Sequence, residues 1–189
     1  AITIEKVADV EKTVEVIVTK ATPIVEILPM ASTITYGDTL ADSTLTNGKV
    51  VYEKGSDIVI EGTFAWENAT VAPKVSDSNQ TTYKVTFIPK DTDLYEAITT
   101  EVTVTVEKKE ITANISNASK TFGTTNPTFE FTVSDEVFVG NDSKTDLNIT
   151  LSTEATQTSK VGTYAITGSA NAENYNVTFT NGTLIDQKF

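Results

Sequence analysis

The chain has 189 residues and a formal net charge of −12, with 26 acidic residues against 14 basic ones, every one of them Lys. It contains no His, Cys or Arg. That removes the usual general base near neutral pH, the thiolate nucleophile and soft zinc ligand, and the guanidinium forks and basic field on which nucleic-acid binding leans. Most familiar active sites and a nucleic-acid partner are thereby excluded, while 39% hydrophobic and 21% charged residues are the proportions of a folded chain.

Residues 1–20 read as the exit strand of a preceding repeat, because Val14-Glu-Val-Ile-Val-Thr-Lys20 alternates as Val102-Thr-Val-Thr-Val-Glu-Lys108 does 88 residues later. A first repeat is expected over residues 21–108, with strands at Ile24–Leu28, Lys49–Glu53, Asp57–Trp66, Tyr83–Ile88 and Glu101–Glu107 between Gly, Pro, Asn and Asp turns. One helical turn is expected between Asp38 and Asn47, where Leu40 and Leu45 precede Gly48. A second repeat is expected over residues 109–189, with strands at Glu110–Ile115, Phe129–Val133, Asn148–Thr153, Gly162–Gly168, Asn176–Thr180 and Gly182–Asp186. Asn181-Gly182 has the signature of a hairpin turn joining the last two.

The repeat itself is legible as Tyr36-Gly37 returning as Phe122-Gly123, followed in each half by a tyrosine after an acidic residue, Tyr95 and Tyr175, and by an exit strand. A period of this length is too long for a solenoid and suits a string of small β modules. The fold expected is mainly β: tandem small antiparallel units, β-grasp-like, with an Ig-like β-sandwich as the alternative. The joints Lys20-Ala-Thr-Pro23 and Glu107-Lys-Lys-Glu110 are not Gly/Ser linkers, so neighbouring units should be coupled end to end. No apolar run approaches the ~18 residues of a membrane span and no secretion signal opens the sequence. It is expected to be a monomeric segment of a longer protein, without membrane insertion.

Thr numbers 35 and sits largely in alternation with Val, Ile and Phe, a pattern that fits a wet pleated surface. Trp66, the single Trp, shares a strand face with Phe64 in Gly62-Thr-Phe-Ala-Trp66; it is a candidate sugar-stacking platform, against the alternative that both rings fill the core. The loop Asn141 to Asp146, with Asn141, Asp142 and Asp146 as oxygen donors, and the shorter Asp91-Thr-Asp93 are candidate calcium sites, though neither has EF-hand spacing. No other cofactor and no catalytic residue is expected. Eight of twelve Asn residues head an Asn-x-Ser/Thr triplet, which would mark glycans only in a eukaryotic secreted protein. A self-made Lys–Asn isopeptide bond is the one covalent chemistry open to a Cys-free β rod. It needs a buried Lys that the sequence does not single out.

The run Lys120-Thr-Phe-Gly-Thr-Thr-Asn-Pro-Thr-Phe-Glu-Phe-Thr-Val133, with Lys160-Val-Gly-Thr-Tyr-Ala-Ile-Thr-Gly168 and Glu173-Asn-Tyr-Asn-Val-Thr-Phe-Thr-Asn-Gly-Thr-Leu184, resembles the YGX-type MBG repeat of bacterial surface adhesins. It departs from that pattern in having Phe122 for Tyr. The first repeat, through Ile34-Thr-Tyr-Gly-Asp-Thr-Leu40, resembles a related repeat of large Gram-positive surface proteins. The resemblance implies a non-enzymatic stalk or spacer module of an adhesin-like, extracellular, wall-attached protein. The alternative is an adhesion module binding host glycan, mucin or extracellular matrix, and the third reading is an accessory repeat of a secreted glycan-degrading enzyme.

Overall fold

The computed structural model describes residues 19–188; the exit strand expected within residues 1–20 lies almost wholly outside them. The described chain is built of strands, and its helical content is four 3-10 turns of three or four residues. In the first repeat the strands are β1 (Ile24–Ile27), β2 (Met30–Ala31), β3 (Ile34–Thr35), β4 (Leu45–Thr46), β5 (Lys49–Val51), β6 (Gly62–Trp66), β7 (Thr82–Pro89), β8 (Ile98–Thr103) and β9 (Val106–Glu107). In the second they are β10 (Lys109–Ile115), β11 (Ala118–Thr121), β12 (Phe131–Thr132), β13 (Ile149–Thr153), β14 (Gly162–Ala170), β15 (Tyr175–Thr180) and β16 (Gly182–Gln187). The expected helical turn is the 3-10 turn Leu40–Asp42, held by Asp42 Oδ2, which accepts from Thr39 N at 2.8 Å.

Strand pairing stays within each repeat. In the first, β6-β7-β8 form an antiparallel sheet, and the pairs β1-β5, β2-β4 and β3-β9 stand beside it. In the second, a three-stranded sheet β12-β10-β15 and a four-stranded sheet β11-β16-β14-β13 contribute side chains to a common core. Ile115 comes from the smaller sheet and Ile166 and Leu184 from the larger, with Ala155 between and Phe179 and Leu151 packed around them. A second cluster, Val50, Ile60 and Phe87, fills the first repeat. Among the described residues no helix is long and apolar enough to cross a membrane.

Four departures from the sequence reading matter. Pairing is not purely antiparallel: β3 runs parallel to β9, β10 to β15 and β11 to β16. The continuous alternation through Glu101–Glu107 is divided at Val104-Thr105, because the chain there leaves β7 to pair with β3, with Ile34 N donating to Thr105 O at 3.0 Å. And Asn181-Gly182 is not a hairpin. A type I′ turn needs positive φ at both residues, and neither has it; instead β15 pairs with β10 in one sheet while β16 pairs with β14 and β11 in the other. Gly182 is required by close approach, since a Cβ there would lie 2.5 Å from Ser116 O. The strand expected over Asp57–Trp66 is likewise confined to Gly62–Trp66, residues 57–61 being irregular apart from one bridge, Val51 to Val59.

Candidate functional site: the joint between the repeats

The largest buried cluster belongs to neither repeat alone. Ile34, Tyr36, Leu40, Val104 and Val106 from the first pack with Ile111, Leu147, Ala172 and Tyr175 from the second. Tyr36 directly follows β3, and its N–H donates to Glu107 O at 2.9 Å, fixing it beside the exit strand. Its ring, 8% exposed, meets Tyr175 edge-on at 5.5 Å between centroids and 87° between planes, and Phe138 meets Tyr175 similarly at 5.9 Å. These are the geometries that aromatic quadrupoles prefer.

The hydroxyls of the two tyrosines converge on one carboxylate. Tyr36 Oη donates to Asp142 Oδ2 at 2.9 Å and Tyr175 Oη to the same oxygen at 2.7 Å, while Val139 N donates to Tyr175 Oη at 3.0 Å. Burial, followed by the hydrogen bond to Asp142 and its charge, pushes the Tyr36 phenol up to about 12. Burial is also the largest influence on Tyr175, whose phenol is raised further, against the lowering effect of the Val139 N–H. Both therefore stay protonated donors at neutral pH.

Backbone geometry seats this contact. Gly37 has φ +105°, and a Cβ there would lie 2.8 Å from Val139 Cγ2, so the turn needs glycine both for its conformation and for the approach of the second repeat. The connecting residues are pinned as well. Lys109 N donates to Asn174 O at 3.0 Å, Lys108 Nζ to Ala172 O at 2.7 Å, and Val75 N of the first repeat to Asn174 Oδ1 at 3.2 Å. What the arrangement does is couple: it fixes one module on the next through apolar packing and a shared charge-assisted hydrogen-bond acceptor.

The residues singled out from sequence fall as follows. Trp66 and Phe64 share one face of β6, both half-buried. Trp66 Nε1 donates to Ser43 O at 2.9 Å and its ring sits edge-on to Tyr83, while Phe64 packs on Phe87. In the Asn141 to Asp146 loop, Asp142 faces the tyrosines. Asp146 Oδ2 caps the 3-10 turn Lys144–Leu147 by accepting from Ser143 N at 2.8 Å, and Asn141 is exposed. Asp91 Oδ1 accepts from the N–H groups of Asp93 and Leu94. Among the described residues no three acidic side chains gather as a metal site would need. Tyr95 occupies in the first repeat the place of Tyr175 in the second: Ala21 N donates to Leu94 O there as Lys109 N does to Asn174 O.

The joint brings together residues that sequence reasoning kept apart. Tyr36 and Tyr175 were legible as recurring scaffold, but their meeting on Asp142, and the parts played by Phe138, Val139 and Asn174, depend on a loop that occurs once. The corresponding face of the second repeat is open. Phe122 N donates to Gln187 O at 2.9 Å, matching Tyr36 to Glu107, and Gly123 has φ +84°. Yet Phe122 is 45% exposed and a Cβ on Gly123 would meet nothing within 4 Å. Lys160, Val161 and Lys188 line the hollow beside Phe122.

Residues 110–185 match the family model of the MBG domain (YGX type); the match covers the second repeat and not the first. No curated protein matches the chain. No solved structure matches it either.

Proposed function

We propose, from an MBG domain at residues 110–185 and the joint that ties it to the repeat before it, that this chain is a non-enzymatic spacer. Its modules are stacked end to end to carry something else outward from a bacterial, Gram-positive cell wall. The observation that carries the reading is the single Asp142 carboxylate held by one tyrosine from each repeat, 2.9 Å and 2.7 Å away. A chain of independent binding units needs no such tie, whereas a spacer of defined length does. The two sheets of the second repeat, enclosing one core, favour the Ig-like sandwich over the β-grasp alternative.

The open Phe122 face belongs to the same reading. It reproduces the seat that Tyr36 and Gly37 provide, so its occupant is the corner of a further module of this kind. Without a phenol at Phe122, the lysines Lys160 and Lys188 are the groups available to meet that module's carboxylate. Fusing a second copy of residues 109–189 downstream should slow hydrogen exchange at Phe122 and Gly123; unchanged exchange there would count against the seat.

Small-angle scattering separates the spacer from its rivals. The expected result is an extended particle of fixed length that loosens in Asp142→Ala, together with a blank glycan array. Strong glycan or mucin capture abolished by Trp66→Ala in a chain that stays folded would instead favour the adhesion module.

A further inference from the structure

Among the described residues, Lys120 and Asp186 are the two charged residues buried in the core, at 6% and 1% exposure. They stand directly opposite each other on the neighbouring parallel strands β11 and β16, with Nζ 3.2 Å from Asp186 Oδ2. The lysine is well held, since Nζ donates to Thr156 O at 2.6 Å and to Thr124 O at 3.3 Å. The aspartate is not: both of its oxygens are buried, and apart from the Lys120 ion pair neither accepts a hydrogen bond. Desolvating an ion pair in this way is costly unless its remaining lone pairs are satisfied.

The fold does not require charges here. In the first repeat the equivalent opposed pair is Ile34 and Val106, 3% exposed each. Replacing such an apolar pair by Lys and Asp calls for a purpose that packing does not supply.

We infer that Lys120 and Asp186 are joined by an intramolecular amide bond, formed by the chain itself. In the dry pocket a proton passes from the Lys120 ammonium to an Asp186 oxygen, giving the uncharged amine and acid, which need no solvation of charge. Two of the amine's positions are occupied by N–H groups pointing at Thr156 O and Thr124 O, so the lone pair is left facing the carboxyl group. Nζ attacks Cγ, the C–N bond forms, a C–O bond breaks and the oxygen leaves as water carrying the two protons released. Atoms and charge balance with no other reagent, and the fixed opposition of the strands supplies the proximity that makes the step intramolecular. The inference does not rest on the spacer reading. It differs from the Lys–Asn bond that the sequence left open. The half-buried Asn126, its buried Oδ1 unpartnered and its Nδ2 donating to Ala155 O at 2.6 Å, is the nearest amide candidate by sequence, but the group that faces Lys120 is Asp186.

The test is the intact mass of the folded wild-type chain after denaturation. The expected value is short by one water, with no tryptic cleavage after Lys120 and a branched peptide joining Lys120 to Asp186 in fragment spectra. Asp186→Asn should be short by one ammonia instead, and Asp186→Ala should have full mass. A folded wild-type chain at full mass overturns the inference and leaves an ion pair. A wild-type deficit of one ammonia, mapped to Lys120 and Asn126, also overturns it. Because the decisive reading is on the wild type, variants that fail to fold do not blunt it.

Discussion

In the first repeat the strand that leaves the module sets Val106 beside Ile34; in the second, the same step of the same parallel pair sets Asp186 beside Lys120. Two residues further on, Tyr36 is enclosed by the next module while Phe122 is largely exposed. Equivalent positions of the two repeats thus carry opposite solutions: an apolar buried pair and an enclosed phenol in one, a charged buried pair and an exposed bare ring in the other. The difference separates what the fold demands from what each module adds. A parallel exit strand and a left-handed glycine are demanded; the buried pair and the phenol are additions.

The comparison can be broken where it is sharpest. Asp186→Ala should destabilise the second repeat by about 3–5 kcal/mol, because it leaves Lys120 in a dry pocket without its partner. Val106→Ala in the first should be felt less, at roughly 1–3 kcal/mol, as a lost-contact and cavity effect. Urea unfolding reads both, with Trp66 fluorescence following the first repeat and hydrogen exchange the second; equal losses would mean that the charged pair is a mere isostere. Gly37→Ala and Gly123→Ala should each carry about 1–3 kcal/mol of backbone strain. Only Gly37→Ala should also speed exchange over residues 138–142, because only there does the new Cβ meet Val139.

Smaller effects sharpen the hydroxyl half of the comparison. Tyr36→Phe, which turns the first joint into the ring that the second repeat carries, should lose about 1.5 kcal/mol, the low end for a bond to a charged acceptor that keeps a second donor. Its pH dependence has a definite sign. The folded Tyr36 phenol lies above its ordinary value of 10.0, at about 12, so its contribution is complete below pH 10 and is lost as pH rises towards 12. The gap in urea midpoint between wild type and Tyr36→Phe should therefore narrow across that window, and a constant gap would contradict the shared-carboxylate joint. Phe122→Tyr should move stability by less than about 0.5 kcal/mol, since the residue is 45% exposed and a hydroxyl added to its ring stays hydrated.

The class and the recurrence were legible because they rest on local pattern: Val102 to Val106 alternates, and Gly37 and Gly123 sit where only a left-handed residue closes the turn. Partner choice was not legible. Asn181-Gly182 between two alternating stretches has the same signature whether the chain doubles back or crosses to another sheet, and the deciding contact, Ser116 O against Gly182, lies 66 residues away. Asp142 stood out in sequence only as one oxygen donor of a polar loop; that it receives a tyrosine from each repeat depends on a contact 106 residues away in the chain. One signal went unused. Laying the repeats side by side sets Lys120 on Ile34 and Asp186 on Val106, and an inward acid in Leu184-Ile185-Asp186 already breaks the apolar alternation.

The parallel placement of β16 against β11, and of β9 against β3, also decides how the modules answer a pull. A force on the C-terminal end drags β16 lengthwise past β11 and β14, so the bonds that hold it lie across the direction of travel and are loaded together. A strand at the end of a hairpin would instead peel away one bond at a time. Each module is thus arranged to yield abruptly or not at all, and in the second a covalent tie between Lys120 and Asp186 would remove the first of those outcomes.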